Sequence, residues 1–329
     1  MIFTKKIETD KYIILFNGIT GVEVLTGINK NPDPFVLDSP SMIDVGVMGH
    51  CYNNCEICYQ GNLNIPNMKL EDFKSIIDQC KGHLNQVALG GKGDPNKHEN
   101  FKEILEYCRK NNVAPNYTTS GIYLTDEEVE ISKICGAVAV SAYDKDFTYL
   151  ALDKFINSGM KTNIHFVLTS ESFPLAIKIL KGEDIWDGKV NLDKLNAVVF
   201  LLFKPQGNGK DKKYLCLSKN QIKEFSEIIL SPKSKFKIGC DSCLINKISQ
   251  VRQLSEQEKS CVDTCEASRM SCYISPDMKF LPCSFGNKDI YGISITEDDT
   301  IQKIWDHGVP FKMFRNILHK NPMSCPYEL

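Results

Sequence analysis

From residue 42 onward the sequence alternates, six times over, between a short apolar run and an amphipathic segment of helical period. The apolar runs lie at 42–48, 86–90, 114–118, 137–142, 162–168 and 195–203, and the helix-period segments at 69–80, 100–110, 125–135, 146–158, 172–181 and 218–230. Strict strand–helix alternation predicts a parallel sheet joined by right-handed crossovers, because parallel neighbours need a long return connection. Thr125 with Glu128 three positions on reads as a capping box, and Gly136 and Gly159 as helix stops. Periodicity does not decide between an open sheet and a partial barrel. Either way, chemistry is expected on the loops at the carboxyl ends of the strands.

Outside this block the pattern differs. Residues 12–25 read as a β-hairpin turning at Asn17-Gly18, the dipeptide that most readily takes positive φ at both turn positions. A Pro-containing linker follows. After about residue 235 the alternation gives way to an irregular, cysteine-rich segment with one late helix-like stretch, Thr300 to Leu318. The expected organisation is therefore an N-terminal hairpin and linker over 1–40, an α/β core over 41–235, and a smaller metal-organised unit over 236–329.

Composition sets the compartment. The 39 basic and 41 acidic residues leave a net charge of −2, which argues against a general attraction to nucleic acid or an anionic membrane. The longest apolar run, Ala197 to Phe203, is far short of the roughly 20 residues of a membrane span. The opening Met1-Ile-Phe-Thr-Lys5 lacks the apolar stretch of a secretory signal, so a cytoplasmic location is expected. Fourteen cysteines in a reducing compartment point to metal rather than to disulfides.

Three of them stand at Cys51-Tyr-Asn-Asn-Cys55-Glu-Ile-Cys58, directly after the first core strand. Thiolates at that spacing on one loop can wrap a four-iron cube. With no fourth local cysteine, one iron is left open for another ligand. A zinc site completed by His50 or a distant ligand, and merely clustered thiols, are the alternative readings of the motif alone. The second strand ends in Gly90-Gly91-Lys-Gly-Asp94-Pro95, where glycines admit a ligand to the backbone and Asp94 can accept bonds from an ammonium. The third ends in Thr-Thr-Ser120-Gly and the fourth in Ser141-Ala-Tyr143-Asp144. Asn163 and His165 share one face of the fifth strand. Lys204 closes the sixth, where it can meet a carboxylate, and the lysines beyond it read as a solvated loop. Cys80, Cys108 and Cys135 read as buried helix residues.

In this order the motifs resemble the radical S-adenosylmethionine (radical SAM) enzymes over residues 42–205. The resemblance implies a partial (β/α)6 TIM-like barrel. Cys51, Cys55 and Cys58 would hold a [4Fe–4S] cluster whose open iron is chelated by the amino and carboxylate groups of S-adenosylmethionine. Gly90, Gly91 and Asp94 would contact its methionine end, and Ser120, Ser141, Asn163, His165 and Ile57 would line the cofactor pocket. Lys92-Gly93 is an insertion and Asp94 replaces Glu; Ser120 replaces Asn, and Ile57 an aromatic residue.

The run Cys265-Glu-Ala-Ser-Arg-Met-Ser-Cys272-Tyr-Ile-Ser-Pro-Asp-Met278-Lys-Phe-Leu-Pro-Cys283 resembles the SPASM or twitch extension of the same enzymes. Met278 stands where a hairpin glycine is expected, which predicts an altered turn. The resemblance implies an auxiliary [4Fe–4S] cluster on Cys265, Cys272, Cys283 and Cys325. Cys240, Cys243 and Cys261 form, with Cys265, a rival set or, by themselves, the ligands of a second cluster. The implied function is hydrogen abstraction from a ribosomally made peptide or protein by a 5′-deoxyadenosyl radical, leading to oxidation, crosslinking or epimerisation, with flavodoxin or ferredoxin as electron donor. A small-molecule substrate is the alternative, and a zinc-stabilised RNA-binding module the remote one. No catalytic side chain is singled out.

Overall fold

The computed structural model describes residues 4–53, 55–142, 145–230, 232–259 and 262–327. The N-terminal segment is a three-stranded antiparallel sheet of β1 (Lys5–Glu8), β2 (Tyr12–Phe16) and β3 (Glu23–Gly27), in which β2 and β3 form the expected hairpin and β1 adds a third strand. Its second turn is longer than the two-residue type that Asn17-Gly18 predicts, since Phe16 pairs with Glu23 and six residues span the gap. Asn17 organises that loop instead, its Oδ1 accepting from the amides of Ile19 and Thr20, and the positive φ falls on Gly21.

The core then runs β4 (Met42–Met48), α1 (Leu70–Gln79), β5 (Gln86–Gly91), α2 (Phe101–Lys110), β6 (Ala114–Thr119) and α3 (Asp126–Ser132). It continues through β7 (Ala137–Ser141), α4 (Asp146–Asn157), β8 (Thr162–Leu168), α5 (Phe173–Leu180), β9 (Ala197–Leu202) and α6 (Lys219–Ile228). Thr125 and Glu128 form the capping box, and Gly159 ends α4 at φ 79°. The alternation extends one unit further than periodicity indicates: β10 (Lys237–Cys240) pairs in parallel with β9 and leads into α7 (Ser242–Val251). Strands β4 to β10 are thus consecutive parallel neighbours.

After the short α8 (Glu256–Lys259), β11 (Ser271–Ile274) turns into β12 (Lys279–Leu281), followed by α9 (Lys288–Tyr291) and β13 (Ile293–Ser294). β11 joins the other edge of the barrel sheet, parallel to β4, giving a ten-stranded sheet ordered β10-β9-β8-β7-β6-β5-β4-β11-β12-β13. The β11–β12 turn is made with Met278 itself in the left-handed region, φ 58°, where a glycine was expected. The late helical stretch is two helices, α10 (Ile301–His307) and α11 (Val309–Lys320), broken where Gly308 caps one and Pro310 starts the other. Trp305 anchors them, fully buried, its indole N–H donating to the Leu37 carbonyl at 3.0 Å.

Ile43, Val45 and Val47 of β4 face the helical layer and are completely buried. Asp44 and Gly46 alternate to the opposite, lumenal face. The same alternation puts Gln86, Ala88 and Gly90, then Asn116 and Thr118, then Ser141, Asn163 and His165 inside the barrel. These small and polar side chains line the β4–β7 side of the lumen, while Val167, Val199 and Leu201 share the face of His165 on the β8–β9 side.

Candidate active site

The cysteine triad occupies the loop leaving the carboxyl end of β4. The loop closes on itself in short steps: the Cys55 amide donates to the Asn53 carbonyl, that of Cys58 to Cys55, and that of Gly61 to Cys58. The Asn53 amide points at the Cys51 sulfur, 3.2 Å away. All three thiols are half-buried and free of disulfide. Burial pushes the Cys51 thiol up, and the nearby Asp94 and Cys55 add to the shift while Lys92 opposes it.

The glycine-rich turn after β5 lies flat against the start of this loop. Gly91 takes φ 110°, and a Cβ on it would sit 2.4 Å from the Met48 carbonyl oxygen; one on Gly93 would sit 2.3 Å from that of His50. Both positions need glycine. Gly90 has open space before it, as a position approached by a ligand requires. Asp94 is spoken for: its two carboxylate oxygens accept from the Ser120 amide at 2.7 Å and the Ser120 hydroxyl at 2.5 Å. The Ser-for-Asn and Asp-for-Glu departures therefore meet each other and tie the β5 and β6 tips together. Burial raises the Asp94 pKa, and the bonds from Ser120 and Thr119 offset part of that rise.

Ser141 pairs with His165 across β7 and β8, and Thr118 Oγ1 lies 3.3 Å from His165 Nδ1. Burial depresses the His165 pKa to about 4, so its ring is neutral near pH 7. Asn163 is drawn away to Asn196, at the amino ends of β8 and β9. Ile57 stays half-buried on the cysteine loop. Tyr143 and Asp144 lie outside the described residues.

Sequence reasoning missed the clamp over the triad. Asn208 donates through its backbone amide to the Cys58 carbonyl and through its side-chain amide to the Cys55 carbonyl, both at 2.9 Å. Beside it, Gly207 takes φ 56°, with space for a Cβ filled by the Cys58 carbonyl oxygen. The lysine-flanked Gly-Asn-Gly stretch is thus not merely a solvated loop; its asparagine between two glycines was the available signal. Asp44 was also missed, although one carboxylate in an apolar strand is conspicuous. Burial and the neighbouring Glu266 raise its pKa to about 7.

The second cysteine group assembles from both edges of the sheet. Cys243 in the first turn of α7 is an electrostatic neighbour of Cys325, Cys325 of Cys265, and Cys283 of both Cys265 and Cys243. The Asn246 side chain, one turn along α7, bonds the Ser324 carbonyl at 3.3 Å. Cys272 stands apart: it pairs with Ile43 on the helical face of the sheet, buried near Cys80 and Arg315. Cys240 shares its register position with the buried Phe200 and packs on the core. Cys261 lies outside the described residues. Lys204 meets the carboxylate expected of it, Asp241 at 3.4 Å, and lies over the Phe285 ring.

These residues suit the groups the sequence pointed to. The Tyr327 hydroxyl is buried without a hydrogen-bond partner and neighbours Cys265, Cys283 and Cys325, as a donor waiting for an acceptor beside those sulfurs would. Among the described residues no three His, Cys, Asp or Glu side chains converge tightly enough for one ion. A cube asks less of them, since each thiolate binds a different iron. Between the two cysteine groups lies a cleft of about 480 Å³, lined by Tyr59, Gln60, Gln206, Tyr273 and Phe285 among others, with the Tyr59 and Phe285 rings 4.7 Å apart.

No family model matches the chain. It is 21% identical over 307 residues to the mycofactocin maturase MftC of Mycolicibacterium smegmatis, covering 85% of this chain and 73% of that protein. Its structure is similar to that of Streptococcus suis SuiB bound to S-adenosylmethionine, with a TM-score of 0.65 at 17% identity, covering 85% and 68% of the two chains. The fold is the one that SuiB has. A second structure, anSMEcpe with bound AdoMet and the Kp18Cys peptide, gives a TM-score of 0.62 at 14% identity, over 87% and 84%. SuiB has also been solved with its precursor peptide SuiA. The shared sheet here is β4 to β9 with their helices, flanked at one edge by β10 and at the other by β11. Among the described residues no helix is long and apolar enough to cross a membrane.

Proposed function

We propose that this radical SAM chain is an enzyme that modifies a ribosomally made peptide or protein. The observation that carries the reading is the triad of Cys51, Cys55 and Cys58 at the barrel rim, facing the open space over Gly90. Cys51, Cys55 and Cys58 would hold an iron–sulfur cluster there, and with S-adenosylmethionine bound it would supply radical chemistry for hydrogen abstraction. The chain's own work is positional. Gly90 and Gly91 leave room for the methionine end, and the Asp94–Ser120 link fixes the turn that borders it. Ser141 and the neutral His165 offer hydrogen-bonding groups inside the lumen. The clamp of Gly207 and Asn208 holds the backbone of the cysteine loop.

The peptide assignment is supported by similarity to a protein named a maturase and to structures that hold peptides. The cleft that Tyr59 and Phe285 help to line is the seat we assign to the reacting segment, since its lining includes the neighbours of Cys58 and Cys283. For the auxiliary cluster we favour Cys243, Cys265, Cys283 and Cys325, with Cys243 in the place first given to Cys272. We place the enzyme in the cytoplasm with flavodoxin or ferredoxin as donor, where free thiols and a reducing supply coexist. The fold gives no support to an RNA-binding module.

The test is anaerobic reconstitution followed by dithionite and S-adenosylmethionine. 5′-Deoxyadenosine is expected from the wild-type chain and none from Cys51→Ala. Absence of product from well-loaded wild-type protein would end the reading. Incubation with short peptides encoded beside the gene, read by mass shift, tests the substrate class; turnover of a small metabolite with every peptide inert would overturn that part alone.

A further inference from the structure

We infer that Lys92 sets the reduction potential of the cluster at the triad, its ammonium stabilising the electron-rich state through contact with Cys58. The inference rests on the radical SAM reading above. The Lys92 ammonium lies 3.7 Å from Cys58 Sγ and also donates to the Gly61 carbonyl at the end of the cysteine loop. The flanking glycines make this reach feasible. Gly91 at φ 110° bends the chain back, the Lys92 amide bonds the Met48 carbonyl at 2.9 Å, and Gly93 lets the turn press on His50.

The charge has no competing partner. Among the described residues, no carboxylate lies within ion-pair distance of Lys92, whereas Lys97 in the same turn is paired with Glu128. Lys92 is also within electrostatic reach of Cys51, so it bears on two of the three thiolates. A cluster that accepts an electron becomes more negative by one charge. A fixed cation beside its ligands therefore favours the reduced form and raises the potential, as net charge and hydrogen bonds to the sulfurs do generally. The two-residue insertion that distinguishes this turn is what brings the lysine here.

The experiment is a redox titration of reconstituted protein without S-adenosylmethionine, following the paramagnetic signal of the reduced cluster that is lost in Cys58→Ala. Lys92→Met and Lys92→Gln are expected to titrate at more negative potential than wild type, and Lys92→Arg close to it. Gln retains a donor for the Gly61 carbonyl, so a shift shared by Met and Gln reports charge rather than loop anchoring. Loaded neutral variants titrating at the wild-type potential would overturn the inference. Loss of iron from both neutral variants but not from Arg would support it, and loss from all three would overturn it in favour of a purely structural lysine. If the wild-type signal survives Cys58→Ala, it is the radical SAM assignment of the triad that fails.

Discussion

Replacing Gly207 by alanine should loosen the triad's hold on its cluster without unfolding the barrel. At φ 56° an L-residue carries a left-handed penalty of about 1–2 kcal/mol. The added Cβ would also stand 2.4 Å from the Cys58 carbonyl oxygen and 2.5 Å from both the Gly61 nitrogen and the Tyr59 carbonyl oxygen. All three are backbone atoms of the cysteine loop, so relief means moving that loop. Taking only about 2 kcal/mol as the part that opposes the ligating geometry, cluster affinity falls roughly 30-fold. Asn208→Ala removes one side-chain bond to the Cys55 carbonyl, about 1 kcal/mol, or roughly fivefold. Gly188→Ala is the control: φ is 73° but a Cβ there meets nothing, so it bears the conformational cost far from the loop. The assay is iron transfer to a chelator from anaerobically reconstituted protein, followed by the signal that responds to S-adenosylmethionine. The expected order of retention is wild type and Gly188→Ala together, then Asn208→Ala, then Gly207→Ala. Wild-type retention in Gly207→Ala would refute the clamp.

Cys243→Ser should lose the auxiliary iron while Cys272→Ser keeps it, as read by iron content and visible absorbance; the reverse outcome would restore Cys272 to the ligand set. At Met278, φ 58° reverses the usual order of substitutions: Met278→Gly should be more stable than Met278→Ala by about 1 kcal/mol in urea unfolding, since both lose the packing but only alanine keeps the strain. Two lumenal groups should bend the pH profile in opposite directions. His165, depressed from 6.5 to about 4, binds fewer protons folded than unfolded, so its contribution is lost as pH falls from 6.5 toward 4. Asp44, raised from 3.8 to about 7, binds more protons folded, so its contribution is lost as pH rises from 4 toward 7. Each slope approaches about 1.4 kcal/mol per pH unit. Relative to wild type, stability of His165→Gln should therefore fall with rising pH between 4 and 6.5, and that of Asp44→Asn should rise; parallel profiles would refute both placements.

What the sequence made legible was local or periodic. The strand–helix alternation, the Thr125 capping box and the cysteine triad each depend on residues a few positions apart, so each could be read directly. Contacts between distant segments could not. Asn208 reaches Cys55 across 153 positions, and Cys243 nears Cys325 only because β10 extends the barrel by one more strand. The Asn17-Gly18 turn was misjudged because strand pairing, not dipeptide preference, set the loop length. Met278 shows the same: a left-handed turn can be kept by an ill-suited residue when the strands on both sides impose it.

The pairing of β11 with β4 has a consequence for the order in which the molecule is made. The edge of the strand that presents the cysteine loop is completed by residues 229 positions later, as the Ser41 to Met270 contact measures. During synthesis on the ribosome that edge stays open until nearly the whole chain has emerged. A nascent chain stalled before residue 270 would display an unpaired apolar strand next to the three cysteines of the triad.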